Sequence, residues 1–211
     1  VLLADFAAPR RHDRVCDLGT GTGIIPLLLY ARENTISADA VEIQPDMADM
    51  AARSMAMNGL NEKIRVLPGD LRSIRTLLPH ARYDLVTCNP PYGKAGGTLL
   101  NPDASKRLAR HEESCAIEDV ACASAWLLQN GGRLCCVFPA ARMIELSDAM
   151  RKYRMAPKRI RMVHSRVEKA AHLCLMEGML DARPGLIIEP PLVIYDENNA
   201  YTPELRRIYG L

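Results

Sequence analysis

Apolar positions fall into short runs that switch between two spacings along the chain. Arg14-Val15-Cys16-Asp17-Leu18 is a compact apolar run ending in glycine, the mark of a short buried strand, and the residues from Ile24 to Arg32 carry helical spacing. Ser37 to Ile43 predicts a second strand and Pro45 to Asn58 a second helix, with proline at its start and Gly59 just past its end. Ile64 to Leu67 predicts a strand, Leu71 to Leu78 a helix and Tyr83 to Cys88 another strand. The opening Val1-Leu2-Leu3-Ala4-Asp5-Phe6 reads as an amphipathic helix already under way, which predicts further chain ahead of Val1.

From Asn89 to about Glu113 the pattern breaks into Pro, Gly, Asn and Lys, too long a stretch for a plain connection. Helical spacing returns from Ile117 to Gln129. Gly131-Gly132 turns the chain into a strand from Arg133 to Phe138, and a helix follows from Arg142 to Tyr153. Strands are expected near Arg159 to Val163, Leu173 to Leu180 and Leu192 to Tyr195, with a last helical turn from Glu204 to Tyr209. Alternating strands and helices predict one α/β domain over residues 1–211: a Rossmann-like, mostly parallel, seven-stranded sheet with helices on both faces. Ligands of such sheets sit outside the carboxyl ends of the strands, where the strand order reverses.

Composition narrows the class. Hydrophobic residues make up 48% and charged residues 25%, as in ordinary globular chains. The longest nearly apolar run, Ile24 to Ala31, is far short of the roughly 20 residues a membrane helix needs. The seven cysteines are odd in number and irregularly spaced, with no C-x-x-C pair, which predicts neither zinc nor disulfides and places the chain in a reducing cytoplasm. His111, His164 and His172 fit no ligand spacing either, so no metal is expected.

Candidate chemistry gathers at predicted strand ends. Asp17-Leu18-Gly19-Thr20-Gly21-Thr22-Gly23 follows the first strand with spacing G-x-G-x-G, unlike the G-x-G-x-x-G of dinucleotide enzymes. An acid beside bare loop amides suits a zwitterionic amino-acid group, such as the methionine end of S-adenosylmethionine, better than a pyrophosphate. Glu42, at the end of Val41-Glu42-Ile43, is placed to accept ribose hydroxyls. Asp70 in Gly69-Asp70-Leu71 can accept an adenine amino group, cap the following helix, or both.

The sharpest motif is Asn89-Pro90-Pro91-Tyr92, directly after Tyr83 to Cys88. Two prolines stiffen the strand exit and remove donors. The Pro90 carbonyl and the Asn89 side-chain carbonyl then form two adjacent acceptors for an NH2 group, and Tyr92 offers a face for a planar base. Such a pair can pull an amine toward tetrahedral geometry and free its lone pair for methylation, by positioning and electrostatics alone.

On these residues the chain resembles class I methyltransferases of the N-P-P-[YF] group, which act on adenine N6, guanine N2 or glutamine N5. With Gly93-Lys94-Ala95-Gly96, Arg110-His111-Glu112, Val163-His164, Pro190-Pro191-Leu192-Val193-Ile194-Tyr195 and Tyr201-Thr202-Pro203-Glu204, it is similar to the bacterial valine-tRNA adenine-N6 methyltransferase family over nearly its whole length. The resemblance implies S-adenosylmethionine held by Asp17, Gly19, Gly21, Glu42, Asp70 and Asn89, and the adjoining Thr20, Gly23, Ile43 and Leu71 are expected to touch it as well. It implies Asn89, Pro90 and Tyr92 on the target adenine, and the anticodon loop of a tRNA as partner. It also implies a segment ahead of Val1 that helps cover the cofactor. The chain departs from the family at His164-Ser165-Arg166-Val167-Glu168-Lys169, where proline and glycine are common.

The net charge is only +2, yet Arg151 to His172 holds eight cations against Glu168. Within it Lys158, Arg159, Arg161, Arg166 and Lys169, with Lys94 and Arg110 from the earlier loop, are the expected phosphate contacts. The alternatives are glutamine-N5 methylation of a protein or another RNA or DNA amino-methylation. An NAD-linked oxidoreductase and a non-catalytic RNA-binding module fit the motifs less well.

Overall fold

Side chains alternate across each strand, and that alternation sorts the core into two layers. In the computed structural model, which describes residues 1–90 and 117–211, the first strand β1 spans Arg14–Leu18 and is buried from Val15 onward. Cys16 and Leu18 pack into one layer and Val15 into the other. The remaining strands are β2 (Ser37–Glu42), β3 (Ile64–Pro68), β4 (Tyr83–Cys88), β5 (Leu128–Pro139), β6 (Met155–His164), β7 (Ala171–Leu180), β8 (Ile187–Ile188) and β9 (Leu192–Val193). They form a single sheet in the order β3-β2-β1-β4-β5-β7-β6-β8, with β9 on β6. The pairs from β3 to β5 are parallel, and β7 runs antiparallel to both of its neighbours.

Seven long strands reproduce the expected sheet. Among the described residues the sheet has nine strands in all: β9 answers the short strand expected at Leu192, β8 was not expected, and both are only two residues long. Helices α1 (Leu2–Ala7), α2 (Ile24–Arg32), α3 (Pro45–Met57) and α7 (Pro203–Tyr209) cover one face through Leu3, Phe6, Leu29, Met55, Leu205 and Ile208. On the other face α4 (Ile74–Leu77), α5 (Ile117–Leu127) and α6 (Met143–Lys152) contribute Ile74, Val120, Leu127, Leu146 and Met150. Thr202 caps α7 by accepting from the Leu205 amide, Pro203 starts it, and Gly210 ends it at φ 73°.

Three expected boundaries moved. The strand assigned to Arg133–Phe138 begins earlier, at Leu128, because Gly131 at φ 78° lies within an irregular β4–β5 pairing and does not break it. The strand expected from Arg159 begins at Met155, with Pro157 beside a register shift against β7, one of the few places a strand tolerates proline. The segment after Asp70 is a 3-10 turn over Leu71–Ser73 followed by the single-turn α4, not one helix.

Buried charge ties α1 to the sheet. Arg133 and Glu177, with side chains 5% and 6% exposed, pair at 3.2 Å, and Arg133 also reaches Asp13 at 3.3 Å. Arg133 donates to the carbonyls of Ala7 and Ala8, and Arg159 to that of Phe6, so guanidinium groups satisfy the open C-terminal end of α1. Burial by itself would raise the Glu177 carboxyl, but hydrogen bonds and charge from Arg159 and Arg133 outweigh it and hold it below its ordinary range.

Cys16, Cys88, Cys135, Cys136 and Cys174 are buried and Cys122 is half-buried, all as free thiols. Burial pushes the Cys174 thiol up to about 11. No helix among the described residues is long and apolar enough to cross a membrane.

Candidate active site at the carboxyl edge of the sheet

The strand order reverses between β1 and β4, and the residues singled out by the motifs meet there. Leu18 pairs with Cys88, so Gly19 and Asn89 directly follow paired residues on adjacent strands. Glu42 pairs with Pro68, which sets Asp70 just beyond it. From β3 to β4 the edge therefore carries Asp70, Glu42, the glycine turn and Asn89, spread over about 14 Å.

The glycine turn is fastened from below. The amides of Gly19 and Thr20 donate to the Val41 carbonyl at 2.9 and 3.0 Å, and Gly23 donates to Thr20. Gly21 donates to Glu42 Oε2 at 2.8 Å, while Glu42 Oε1 accepts from Gln44 at 2.9 Å. Glu42 thus ties the glycine turn at Gly21 to the start of α3 at Gln44, a role no local spacing in the sequence marks, and each carboxylate oxygen retains a lone pair for a ligand. The amides of Gly19, Thr20, Gly21 and Gly23 are thus already engaged, the first three by β2 and the last within the turn.

Gly23 sits at φ 84°, and a Cβ there would lie 2.5 Å from Met55 Cε and 3.2 Å from Ala51 Cβ of α3. Gly23→Ala is expected to cost about 1–3 kcal/mol of stability, measured by denaturant unfolding, through backbone strain and the displaced methionine.

Asp17 lies at the floor of the turn, fully buried. Thr87 of β4 donates to its Oδ1 at 2.6 Å. Among the described residues, Asp17 Oδ2 and Thr20 Oγ1 are buried oxygens with no hydrogen-bond partner. Burial pushes the Asp17 carboxyl up to about 7, the Thr87 and then the Thr20 hydroxyl offset this only in part, and the nearby Glu42 adds to the rise. Two buried acids with an unsatisfied oxygen between them suit a ligand carrying positive charge and donors. The ammonium and sulfonium of S-adenosylmethionine meet that description, whereas a dinucleotide pyrophosphate would meet like charge.

The outer flank of this edge is apolar and open. Ile43 is 40% exposed directly after Glu42, and Leu71 is half-buried against the core. Asp70 fills the capping role: its Oδ1 accepts from the Arg72 amide, and both oxygens engage the Arg72 guanidinium, which pulls its carboxyl below the ordinary range. Pro90 is buried and Asn89 exposed at the end of β4. Tyr92, Lys94, Arg110 and His111 lie outside the described residues.

In the basic stretch several cations have partners within the fold. Arg159 pairs with Glu177 at 3.0 Å and Glu189 at 2.8 Å, and its guanidinium lies 4.5 Å from the Phe6 ring centroid. Arg161 holds both carboxylate oxygens of Glu204 at 2.8 Å and donates to the Pro190 carbonyl. Both expected phosphate contacts are thus committed to the fold, by acids distant in sequence. Arg166 donates to the Asp196 carbonyl and to Asn199, and Lys158 to the Arg183 carbonyl at 3.2 Å. His164 Nδ1 bonds the Lys169 carbonyl across the β6–β7 turn, a structural role, while His172 is exposed.

A cleft of about 670 Å³ lies at the opposite edge between Arg14, Asp39, Arg65 and Tyr83, away from these motifs.

Residues 1–157 match the methyltransferase small domain family. The tRNA1(Val) (adenine(37)-N6)-methyltransferase of Porphyromonas gingivalis is 31% identical over 91% of this chain and 76% of its own length. The enzyme of the same name from Tolumonas auensis is 33% identical over 97% of this chain and 83% of its own. Among solved structures, a predicted O-methyltransferase from Agrobacterium tumefaciens superposes with a TM-score of 0.82 at 23% identity, covering 99% of this chain and 94% of that one, a likeness of fold. The chain is an S-adenosylmethionine-dependent methyltransferase that belongs to the methyltransferase small domain family and, within it, to the family of tRNA1(Val) (adenine(37)-N6)-methyltransferases.

Proposed function

We propose that this protein methylates the exocyclic N6 nitrogen of an adenine in tRNA, at a nucleotide of the anticodon loop. The observation that carries the reading is the one-strand separation between the glycine turn after β1 and Asn89-Pro90 after β4. That separation sets a paired acceptor beside a pocket suited to a cationic cofactor. The relatives' names supply the substrate class.

When bound, S-adenosylmethionine supplies an electrophilic methyl group on a sulfonium. Asp17 and Thr20, whose buried oxygens lack partners, would take its ammonium end, Gly19, Gly21 and Gly23 would shape the turn against it, Glu42 would take the ribose, and Ile43, Asp70 and Leu71 would flank the adenine. The target amine donates its two hydrogens to Asn89 Oδ1 and the Pro90 carbonyl. Asn89 and Pro90 would thereby hold the amine with its lone pair turned toward the bound cofactor, free to accept the methyl group. The resulting ammonium gives its extra proton to water, so no dedicated base is required. Buried Pro90 fixes the backbone carbonyl in place.

The test is incubation with labelled S-adenosylmethionine and either total tRNA or a release factor, followed by nucleoside analysis. N6-methyladenosine in tRNA is the expected product. Label confined to the protein substrate would overturn the reading.

A further inference from the structure

Three tyrosines near the end of the chain form a near-parallel ladder on the surface. The rings of Tyr195 and Tyr201 are 5.5 Å apart at 23°, and those of Tyr201 and Tyr209 are 6.1 Å apart at 24°. Tyr201 is 39% exposed and Tyr209 46%, so the ladder is not hidden under other side chains. Val167, at 79% exposure on the β6–β7 turn, stands near the same end of the sheet. Contiguous exposed apolar surface of this kind marks a contact site.

The ladder is held rigidly. Tyr195 and Tyr201 pair through an antiparallel bridge. Asp196 Oδ1 accepts from the amides of Asn198 and Ala200, both at 2.9 Å, and Arg166 ties the turn to the β6–β7 connection. Tyr209 is brought in by α7, whose Leu205 and Ile208 are core residues.

Its position relates it to the active site. β9 runs parallel to β6, and β6 runs in the same sense as β4 because β7 reverses between them. Tyr195, two residues past β9, therefore emerges at the same carboxyl edge as Asn89. Four strand spacings separate β9 from β4 along the path through β5, β7 and β6, about 19 Å, a span that one RNA stem–loop covers. Arg206 and Arg207 of α7 flank the rings. Arg206 is exposed and donates through Nε to the Tyr201 carbonyl, and Arg207 is 64% exposed, only 3.7 Å from Asp5. Glu168 and Glu197 lie exposed nearby, so the local charge is close to balanced and the rings carry the main attraction.

We propose that Tyr195, Tyr201 and Tyr209 form a stacking platform for an unpaired nucleobase flanking the target adenine, with Arg206 and Arg207 receiving its phosphates. The inference rests on the tRNA reading above. An aromatic face accepts any base, so the platform positions the loop without reading its sequence.

The test compares Tyr201→Ala, Tyr201→Leu, Tyr201→Phe and Tyr209→Ala with the unaltered protein. One measurement is KM for tRNA. The other is the affinity for a fluorescein-labelled anticodon stem–loop RNA, read by anisotropy. Alanine and leucine variants are expected to raise KM and weaken the RNA affinity by about 10-fold each, whereas Tyr201→Phe stays within about 2-fold because it keeps the ring. The melting-temperature rise given by S-adenosylmethionine should be unchanged in all of them. Unaltered RNA affinity in Tyr201→Leu and Tyr209→Ala would overturn the platform while leaving tRNA methylation standing. No binding or methylation of tRNA by the unaltered protein would overturn both.

Discussion

Asn89→Ala is expected to lower methyl transfer to tRNA by about 100- to 1,000-fold while the protein stays folded. A preorganised polar group acting on the reacting centre is worth about that much. Asn89 is exposed at the end of β4, so shortening it leaves no cavity in either core layer. The loss should fall on kcat, because the amine is most strongly gripped as its nitrogen becomes tetrahedral. Asn89→Asp, which keeps an acceptor oxygen, should retain more activity than the alanine variant. S-adenosylmethionine should still raise the melting temperature of both, which separates a chemical defect from an empty cofactor site. Turnover at the unaltered rate in Asn89→Ala would show that the acceptor pair does not activate the amine.

The second large effect concerns Asp17. Its carboxyl titrates near 7 in the folded protein, against an ordinary value of 3.8. Between these values the folded state holds a proton that the unfolded state has released. Stability from this group therefore falls as pH rises through that window, and above pH 7 the full penalty applies. At about 1.4 kcal/mol per pH unit the penalty is on the order of 4 kcal/mol.

Asp17→Asn should remove much of this penalty. Its side-chain carbonyl can still accept from Thr87. Without ligand the variant is expected to melt roughly 5–10 °C higher at pH 8, with a smaller gain at pH 5. The same change removes the carboxylate that meets the cofactor's ammonium, so affinity for S-adenosylmethionine should fall at least about 10-fold. In the unaltered protein that affinity should weaken as pH drops below 7. Calorimetric melting and cofactor titration across pH check all three expectations. A variant less stable than the parent at pH 8, or one with undiminished affinity, would remove Asp17 from this role.

The parts of the fold that could be read from sequence are those where one physical signal dominates. The observed bounds of β1 and β4 match the expected runs because strands buried on both faces appear as continuous apolar stretches. Glu42 and Asp70 were placed at strand ends because a carboxylate closing an apolar run stands out. β8 was missed because Ile187 and Ile188 are exposed, short and set among prolines, so no burial pattern marks them. The ion pairs of Arg159 and Arg161 were not legible for a different reason. Their partners Glu177, Glu189 and Glu204 lie on other elements, and a charge count within a window cannot see across a sheet. Likewise, that Glu42 braces the glycine turn depends on how β2 lies against the loop, which no local spacing encodes.

The thiols sequestered within the two core layers have a practical use. Alkylating reagents reach Cys16, Cys88, Cys135, Cys136 and Cys174 only when the sheet opens. Timed mass-spectrometric labelling of these five sites would then act as a clock for global unfolding, and occupancy by S-adenosylmethionine should slow it.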